Sequence, residues 1–229
     1  MSPVPTRDEQ PAPPRGRLLV VVAVAAEAEA VLRGAGPDRV RVVTAGVGPA
    51  AAAAATALAL AERPHPLVLS AGIAGGFAPH APVGAVVAAD AILAADLGAQ
   101  TPDGFQDVAA LGFGTVRHTP PPAAVALLAG ATGAVVGPVL TVSTVTGSAE
   151  RAAELAARHP GAAAEAMEGF GVAEAAARFG VPALELRTVS NAVGPRDRAA
   201  WRIGEALGAL ERAFAALPYD RLLEEALNG

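Results

Sequence analysis

Three carboxylates and one amide stand where an α/β chain places reactive groups. Glu27 and Glu29 follow directly on the apolar run at residues 17–25. A carboxylate just beyond a buried strand can serve as a general base. A negative group at a helix start is also favoured by the free N–H groups and the dipole, which accounts for one of the two without any chemistry. In one helix the pair would point about 200° apart, so a common site takes one of them. Glu168 lies between Met167 and Gly169 at a second such junction. Methionine offers adaptable apolar surface, and glycine leaves room beside the carboxylate. That combination can hold sugar hydroxyls with the ring on the thioether; a plain helix-start acid is the alternative. Asn191 ends a polar triplet, Thr188-Val189-Ser190-Asn191, and carries a donor and an acceptor on one planar end. The pattern suits a heterocycle, or simply a turn.

Glycines supply the other candidate feature. Ala71-Gly72-Ile73-Ala74-Gly75-Gly76 follows an apolar run and would let backbone N–H groups approach a ligand. A tight turn explains the same residues, and the spacing is not that of a dinucleotide-binding loop. Gly46-Val47-Gly48 reads as structural. His65, His80, His118 and His159 show no metal-ligand spacing and read as surface or capping residues. The absence of cysteine excludes a thiol nucleophile, a disulfide scaffold and every thiolate metal site.

Strands must carry these groups. Residues 17–25 form a continuous apolar run, the mark of a strand buried on both faces, with a helix over 27–33 leaving its end. A strand at 40–44, a helix from Pro49 to 61 and a strand at 66–70 follow; proline suits the first helical position. A strand at 84–93 precedes a loop-rich stretch, 98–122. Then come a helix at 123–129, a strand at 133–143, a helix to 157 capped by Ser148, a short strand at 163–167 and a helix at 169–179. The last strand, 182–190, leads to helices at 199–216 and 220–227. The alternation predicts α/β: a single three-layer domain with a mixed central β-sheet flanked by helices.

Composition narrows the function classes. The 229 residues carry 17 basic groups, all arginine, against 22 acidic ones, a net charge of −5 that does not suit binding along a phosphate backbone. No apolar stretch is long enough to span a bilayer. Residues 1–16, rich in proline and charge, read as a disordered tail and lack the pattern of a signal peptide. A cytoplasmic protein with no nucleic-acid or membrane partner is the expectation.

Read in order, these segments resemble the nucleoside phosphorylase/nucleosidase superfamily and, within it, the futalosine hydrolase family of the alternative menaquinone pathway. The resemblance rests on Glu27, Ser70-Ala-Gly-Ile-Ala-Gly-Gly-Phe77, Val83-Gly84, Met167-Glu168-Gly169 and Arg187-Thr-Val-Ser-Asn191, followed by Val193-Gly-Pro-Arg-Asp197 and Trp201. It implies one catalytic domain over residues 17–229. It further implies hydrolysis of the N-glycosidic bond of futalosine, giving hypoxanthine and dehypoxanthine futalosine, with no cofactor or metal and with assembly as a homo-oligomer. Glu27 is implied to activate water, or Glu29 if the register shifts. Met167 and Glu168 are implied to bind the ribose and Asn191 to handle the departing base. Ala74 and Gly75 would lie along purine and ribose, and Val145 with Thr146 would enter the base pocket. Relatives often stack a phenylalanine on the base, and residues 140–148 contain none.

Chemistry selects among reactions of this type. Phosphorolysis must hold a dianion with strong donors, yet residues 20–32 and 66–83 contain no arginine. Water beside a carboxylate is the better fit. An amide can accept from a protonated N7 while donating to a 6-oxo group, so Asn191 favours hypoxanthine or guanine over adenine. The substrate's benzoate-bearing arm calls for a donor, and Arg117, Arg196 and Arg198 are candidates, with Phe105 and Phe113 available to cover the ring or to pack their own loop. Other readings are a nucleosidase or phosphorylase acting on methylthioadenosine, S-adenosylhomocysteine or inosine, and a nucleoside-binding protein without turnover.

Overall fold

The computed structural model describes residues 16–228; the tail expected to be disordered lies, but for Gly16, outside the described residues. The first strand, β1 (Leu18–Val22), is buried along its whole length. Alternate side chains serve opposite faces. Leu18, Val20 and Val22 pack with one cluster of helical residues, and Leu19 and Val21 with another. The first face is covered by α1 (Ala25–Ala35), α3 (Pro122–Thr132), α6 (Ile203–Ala216) and α7 (Tyr219–Asn228). The second carries α2 (Pro49–Glu62) and α5 (Gly169–Arg178). This is the expected three-layer arrangement.

The sheet between the layers is mixed and partly closed on itself. β3 (Val68–Gly76), β9 (Ala164–Ala166), β8 (Val135–Thr141), β4 (Val86–Ala94) and β10 (Ala183–Ala192) pair in a ring that returns to β3. β1 and then β2 (Val40–Thr44) extend it from β3 as parallel neighbours. Small residues in and beside the ring strands and in α5, among them Ala74, Ala89, Ala163 and Ala173, form one buried cluster with Ile92, Val139 and Phe170. Low side-chain volume lets so tight a closure pack at ordinary density.

One feature of the ring positions everything that follows. β1 pairs with β3 only as far as Val21 opposite Ser70, while β9 joins the same edge at Gly75 and Gly76. Between these points the edge of β3 has no strand beside it. Backbone N–H groups left there need another partner.

The structure departs from the sequence reading in three places. Residues 71–76 continue β3 rather than forming a turn. Their glycines answer close approach: a Cβ on Gly76 would lie 2.1 Å from the Ala81 carbonyl oxygen. The stretch read as loop at 98–122 contains a hairpin, β5 (Gly98–Thr101) with β6 (Gly104–Asp107), and a two-residue strand, β7 (Arg117–His118), paired with β4. The histidines are not all superficial. His65 is buried with its Nδ1 2.8 Å from the Arg17 carbonyl oxygen, and His118 meets Glu174 at 3.0 Å. His159 does close α4 (Ala149–Arg158), whose other end is capped by Ser148 Oγ accepting from the Arg151 N–H, as expected.

The helix layers also depend on glycine. A Cβ on Gly171 of α5 would meet the Pro49 carbonyl oxygen at 2.0 Å, whereas Gly130 of α3 faces open space. Gly171→Ala should therefore destabilise by about 1–3 kcal/mol through overpacking, and Gly130→Ala should stabilise by about 0.5–1 kcal/mol through helix propensity. Urea midpoints of the two variants check this; equal shifts would contradict the packing at α2 and α5.

Candidate active site

Glu27 occupies the unpaired edge of β3. It stands in the first turn of α1, which begins where β1 ends, and its side chain turns back under the sheet. Oε1 accepts from the Ile73 N–H at 2.9 Å, and Oε2 from the N–H groups of Ala23 and Val24 at 3.0 and 3.2 Å. Three backbone donors hold a carboxylate that has about four acceptor directions, so roughly one remains for a ligand. Gly72 makes this approach possible, since its Cβ would sit 2.4 Å from Glu27 Oε1. Glu29, by contrast, is exposed and lies 4.0 Å from Arg33. The helix-start reading of Glu27 is therefore correct and incomplete, because the same side chain closes a gap in the sheet.

Glu168 comes from the other side, at the start of α5. Its Oε1 accepts from the Gly48 N–H at 3.3 Å, and Oε2 lies 3.3 Å from the Met167 N–H and 3.2 Å from Arg187 Nη1. Gly48 has a φ of +98°, a conformation that favours glycine, so the segment read as merely structural turns its N–H toward the carboxylate.

Arg187 links these groups and was missed as a site residue. It is fully buried, with Nε 2.8 Å from Glu185 Oε1 and Nη2 3.1 Å from Ser70 Oγ. Glu185 lies two residues back on the same strand face, and a Cβ on Gly169 would come within 2.4 Å of each of its carboxylate oxygens. Burial pushes the Glu185 carboxyl up, against the opposing pull of Arg187. The absence of arginine near the glycine cluster in sequence thus hid a cation that β10 brings beneath it. Its charge is committed: Glu168 and Glu185 pair with it, and Arg187 does not line the open cleft. Glu27 and Glu168 alone set two carboxylates against this one cation, with the desolvated Glu185 beneath them.

Above this floor opens a cleft of about 620 Å³. Eight of the residues singled out in the sequence line it, namely Glu27, Ala74, Gly75, Val145, Thr146, Met167, Glu168 and Asn191, whereas Glu29 does not. Asn191 is oriented by its neighbours, with Oδ1 accepting from Ser190 Oγ at 2.8 Å and Nδ2 donating to the Ala192 carbonyl at 3.0 Å. One N–H and one lone pair remain. Of the arginines considered for the carboxylate arm, Arg196 and Arg198 line the cleft beside Trp201, with guanidinium carbons 5.7 and 5.8 Å from its ring centre. Arg117 does not line it. Phe105 stacks under Arg158 at 4.2 Å and Phe113 is exposed, both away from the cleft. Glu165, unremarked in the sequence because it precedes the Met-Glu pair without a glycine or turn to mark it, also faces the cleft.

Comparison with known proteins gives a consistent picture. A family model described as the phosphorylase superfamily matches residues 21–224. Futalosine hydrolase of Streptomyces coelicolor is 71% identical over 155 residues, 68% of this chain and 66% of that protein. Futalosine hydrolase of Acidothermus cellulolyticus is 51% identical over 160 residues, 68% and 65% of the two chains. The matched region spans just under two thirds of the length of these relatives. Among solved structures, a 5′-methylthioadenosine/S-adenosylhomocysteine nucleosidase from Neisseria meningitidis in complex with methylthio-immucillin-A superposes with a TM-score of 0.75 at 20% identity, over 88% of this chain and 97% of that one. That likeness is one of fold. Among the described residues no helix is long and apolar enough to cross a membrane.

The charge arrangement generates a stability prediction. Removing one partner of a buried ionic cluster leaves the others uncompensated, at a cost of about 3–5 kcal/mol. Arg187→Met should lose stability on that scale in urea unfolding. A loss below about 1 kcal/mol would show that the guanidinium does not hold the carboxylates.

Proposed function

The chain belongs to the phosphorylase superfamily, and on that premise we propose that it hydrolyses the N-glycosidic bond of futalosine, releasing hypoxanthine and dehypoxanthine futalosine in the route to menaquinone. The observation that carries the reading is the meeting of Glu27, Glu168 and Asn191 in one cleft over a floor whose cation, Arg187, is already paired. The high identity to proteins named futalosine hydrolase supports the choice of substrate.

The proposed roles follow from the geometry. Water bound to the free acceptor direction of Glu27 loses a proton to it while attacking C1′ of the ribose. Glu168 accepts from the ribose 2′-hydroxyl, with the sugar resting on Met167. That contact strengthens as the ring gains oxocarbenium character, and contacts that strengthen in the transition state raise kcat. The purine lies along Ala74 and Gly75 with Val145 and Thr146 at its edge. As the C1′–N9 bond breaks, its electron pair leaves with the purine, which takes up a proton from solvent at N7; Asn191 accepts from that N7–H and donates to O6. A phosphate nucleophile would face a net negative floor, whereas water meets a base, so hydrolysis is favoured over phosphorolysis. The rim at Arg196 and Arg198 offers the donors that a carboxylate-bearing arm requires. In this reading residues 17–229 form the catalytic domain of a cytoplasmic homo-oligomer.

Assay of released base decides the matter. The protein should release hypoxanthine from futalosine at the same rate with and without phosphate. Glu27→Ala should lose about 10³-fold in kcat, as expected for removal of a general base, while Glu29→Ala stays near the parent. Glu168→Gln should lower kcat with little change in KM. Strict dependence on phosphate would overturn the reaction, and equal losses for the Glu27 and Glu29 variants would overturn the role of Glu27.

A further inference from the structure

The row of the sheet that crosses the cleft holds more than Asn191. Asn191 of β10 is in register with Gly75 of β3, and Gly75 in turn with Glu165 of β9. Adjacent strands lie about 4.8 Å apart, so the two polar residues stand roughly 10 Å apart at Cα with a glycine between them. All three line the cleft. A Cβ on Gly75 would come 3.3 Å from Asn191 Nδ2 and 3.0 Å from Val193 Cγ2. The missing side chain leaves a flat floor between an amide on one side and a carboxylate on the other.

Glu165 is placed like a recognition group rather than a solvated acid. It is 6% exposed and makes no ion pair with a described residue. Thr146 donates to both oxygens, its N–H to Oε1 at 2.8 Å and its Oγ1 to Oε2 at 2.5 Å. A carboxylate accepts about four hydrogen bonds, so roughly two directions stay open. Burial raises the Glu165 carboxyl above the usual carboxylate range, while the two Thr146 donors pull it back toward the ionised form. A buried acceptor facing a ligand cleft with spare lone pairs calls for a donor from that ligand.

We propose that Glu165 is a second base-reading residue, accepting from the N1–H of a 6-oxopurine that lies over Gly75 while Asn191 serves N7 and O6. This rests on the purine nucleoside reading above. The chemistry is selective: hypoxanthine and guanine carry a proton at N1, whereas adenine presents a lone pair there and would oppose the carboxylate. Two groups reading one edge from opposite sides fix the ring's orientation as well as its identity. Thr146 acts through Glu165, holding the carboxylate toward the slot.

Calorimetric binding of hypoxanthine and 1-methylhypoxanthine tests the assignment without requiring turnover. The parent protein should bind hypoxanthine at least about 10-fold more tightly, the scale of a hydrogen bond to a charged acceptor. Glu165→Ala, which removes the acceptor and makes room for the methyl group, should bring the two affinities within about twofold. Glu165→Gln keeps an oxygen for the Thr146 N–H and turns its NH₂ toward N1–H. This fold-preserving variant should lose at least about 10-fold in hypoxanthine affinity with an unchanged thermal midpoint. A parent protein indifferent to the methyl group, or a preference surviving in Glu165→Ala, would overturn the role of Glu165 while leaving hypoxanthine release intact. If the parent binds neither base and releases none, the nucleoside reading fails and this assignment with it.

Discussion

A single buried guanidinium governs this site. Arg187 lies beneath the cleft between Glu168 and Glu185, with Ser70 taking its remaining edge. Desolvating a charge costs several kcal/mol unless partners replace the lost water. Here the partners are carboxylates, and they exceed the cation in number. Arg187 therefore lets Glu168 stay buried at the cleft floor without supplying a free positive charge to the cavity. With Glu27 the surplus is negative, as the proposed reaction requires of a site for a ribose acquiring positive character and a nucleophile that must surrender a proton.

The sheet explains how carboxylates from distant parts of the chain converge. β1 and β9 occupy the same edge of β3 at different heights, leaving a gap into which Glu27 reaches from α1. Backbone donors that a neighbouring strand would have consumed instead hold a catalytic candidate. The glycines of β3 make the gap usable: Gly72 admits the Glu27 carboxylate, and Gly75 keeps the row from Asn191 to Glu165 open. Closure of the ring through β10 then brings Asn191 and Arg187, four residues apart on one strand, to the wall of the cleft and beneath its floor respectively. The bulge between Val189 and Asn191 shifts the register at this point, and such irregularities commonly re-aim side chains beside active sites.

Much of this was legible in the sequence. The apolar run of β1 announced a doubly buried strand, and the junctions after it and before α5 marked Glu27 and Glu168. Asn191 stood out as an amide at a strand end, and all eight candidate residues share the cleft. What escaped depended on long-range placement. The glycine cluster read as a ligand-approach loop or a turn, not as strand, because local propensity does not register Glu27, Ala81 or Val189 closing in on those positions. Arg187 escaped as a site residue because its own strand shows only Glu185, two residues back, and not Glu168, which closes on it from the start of α5. Glu165 was hidden for a similar reason: its significance lies in a row built from three strands far apart in the chain. Short extended pairs such as β5 with β6 carry too few apolar residues to display a period.

In the proposed reaction the floor of the cleft serves a developing cation and a water molecule. Competition between two purine-bearing ligands of the same shape tests it most directly, one with a protonated nitrogen in the five-membered ring and the other with a neutral carbon there. Calorimetric titration at neutral pH, without phosphate, should show the cationic ring binding about 100-fold more tightly, since a mimic of the transition-state charge gains what a ground-state ligand does not. Equal affinities, or a preference for the cation that appears only when phosphate is added, would contradict the account.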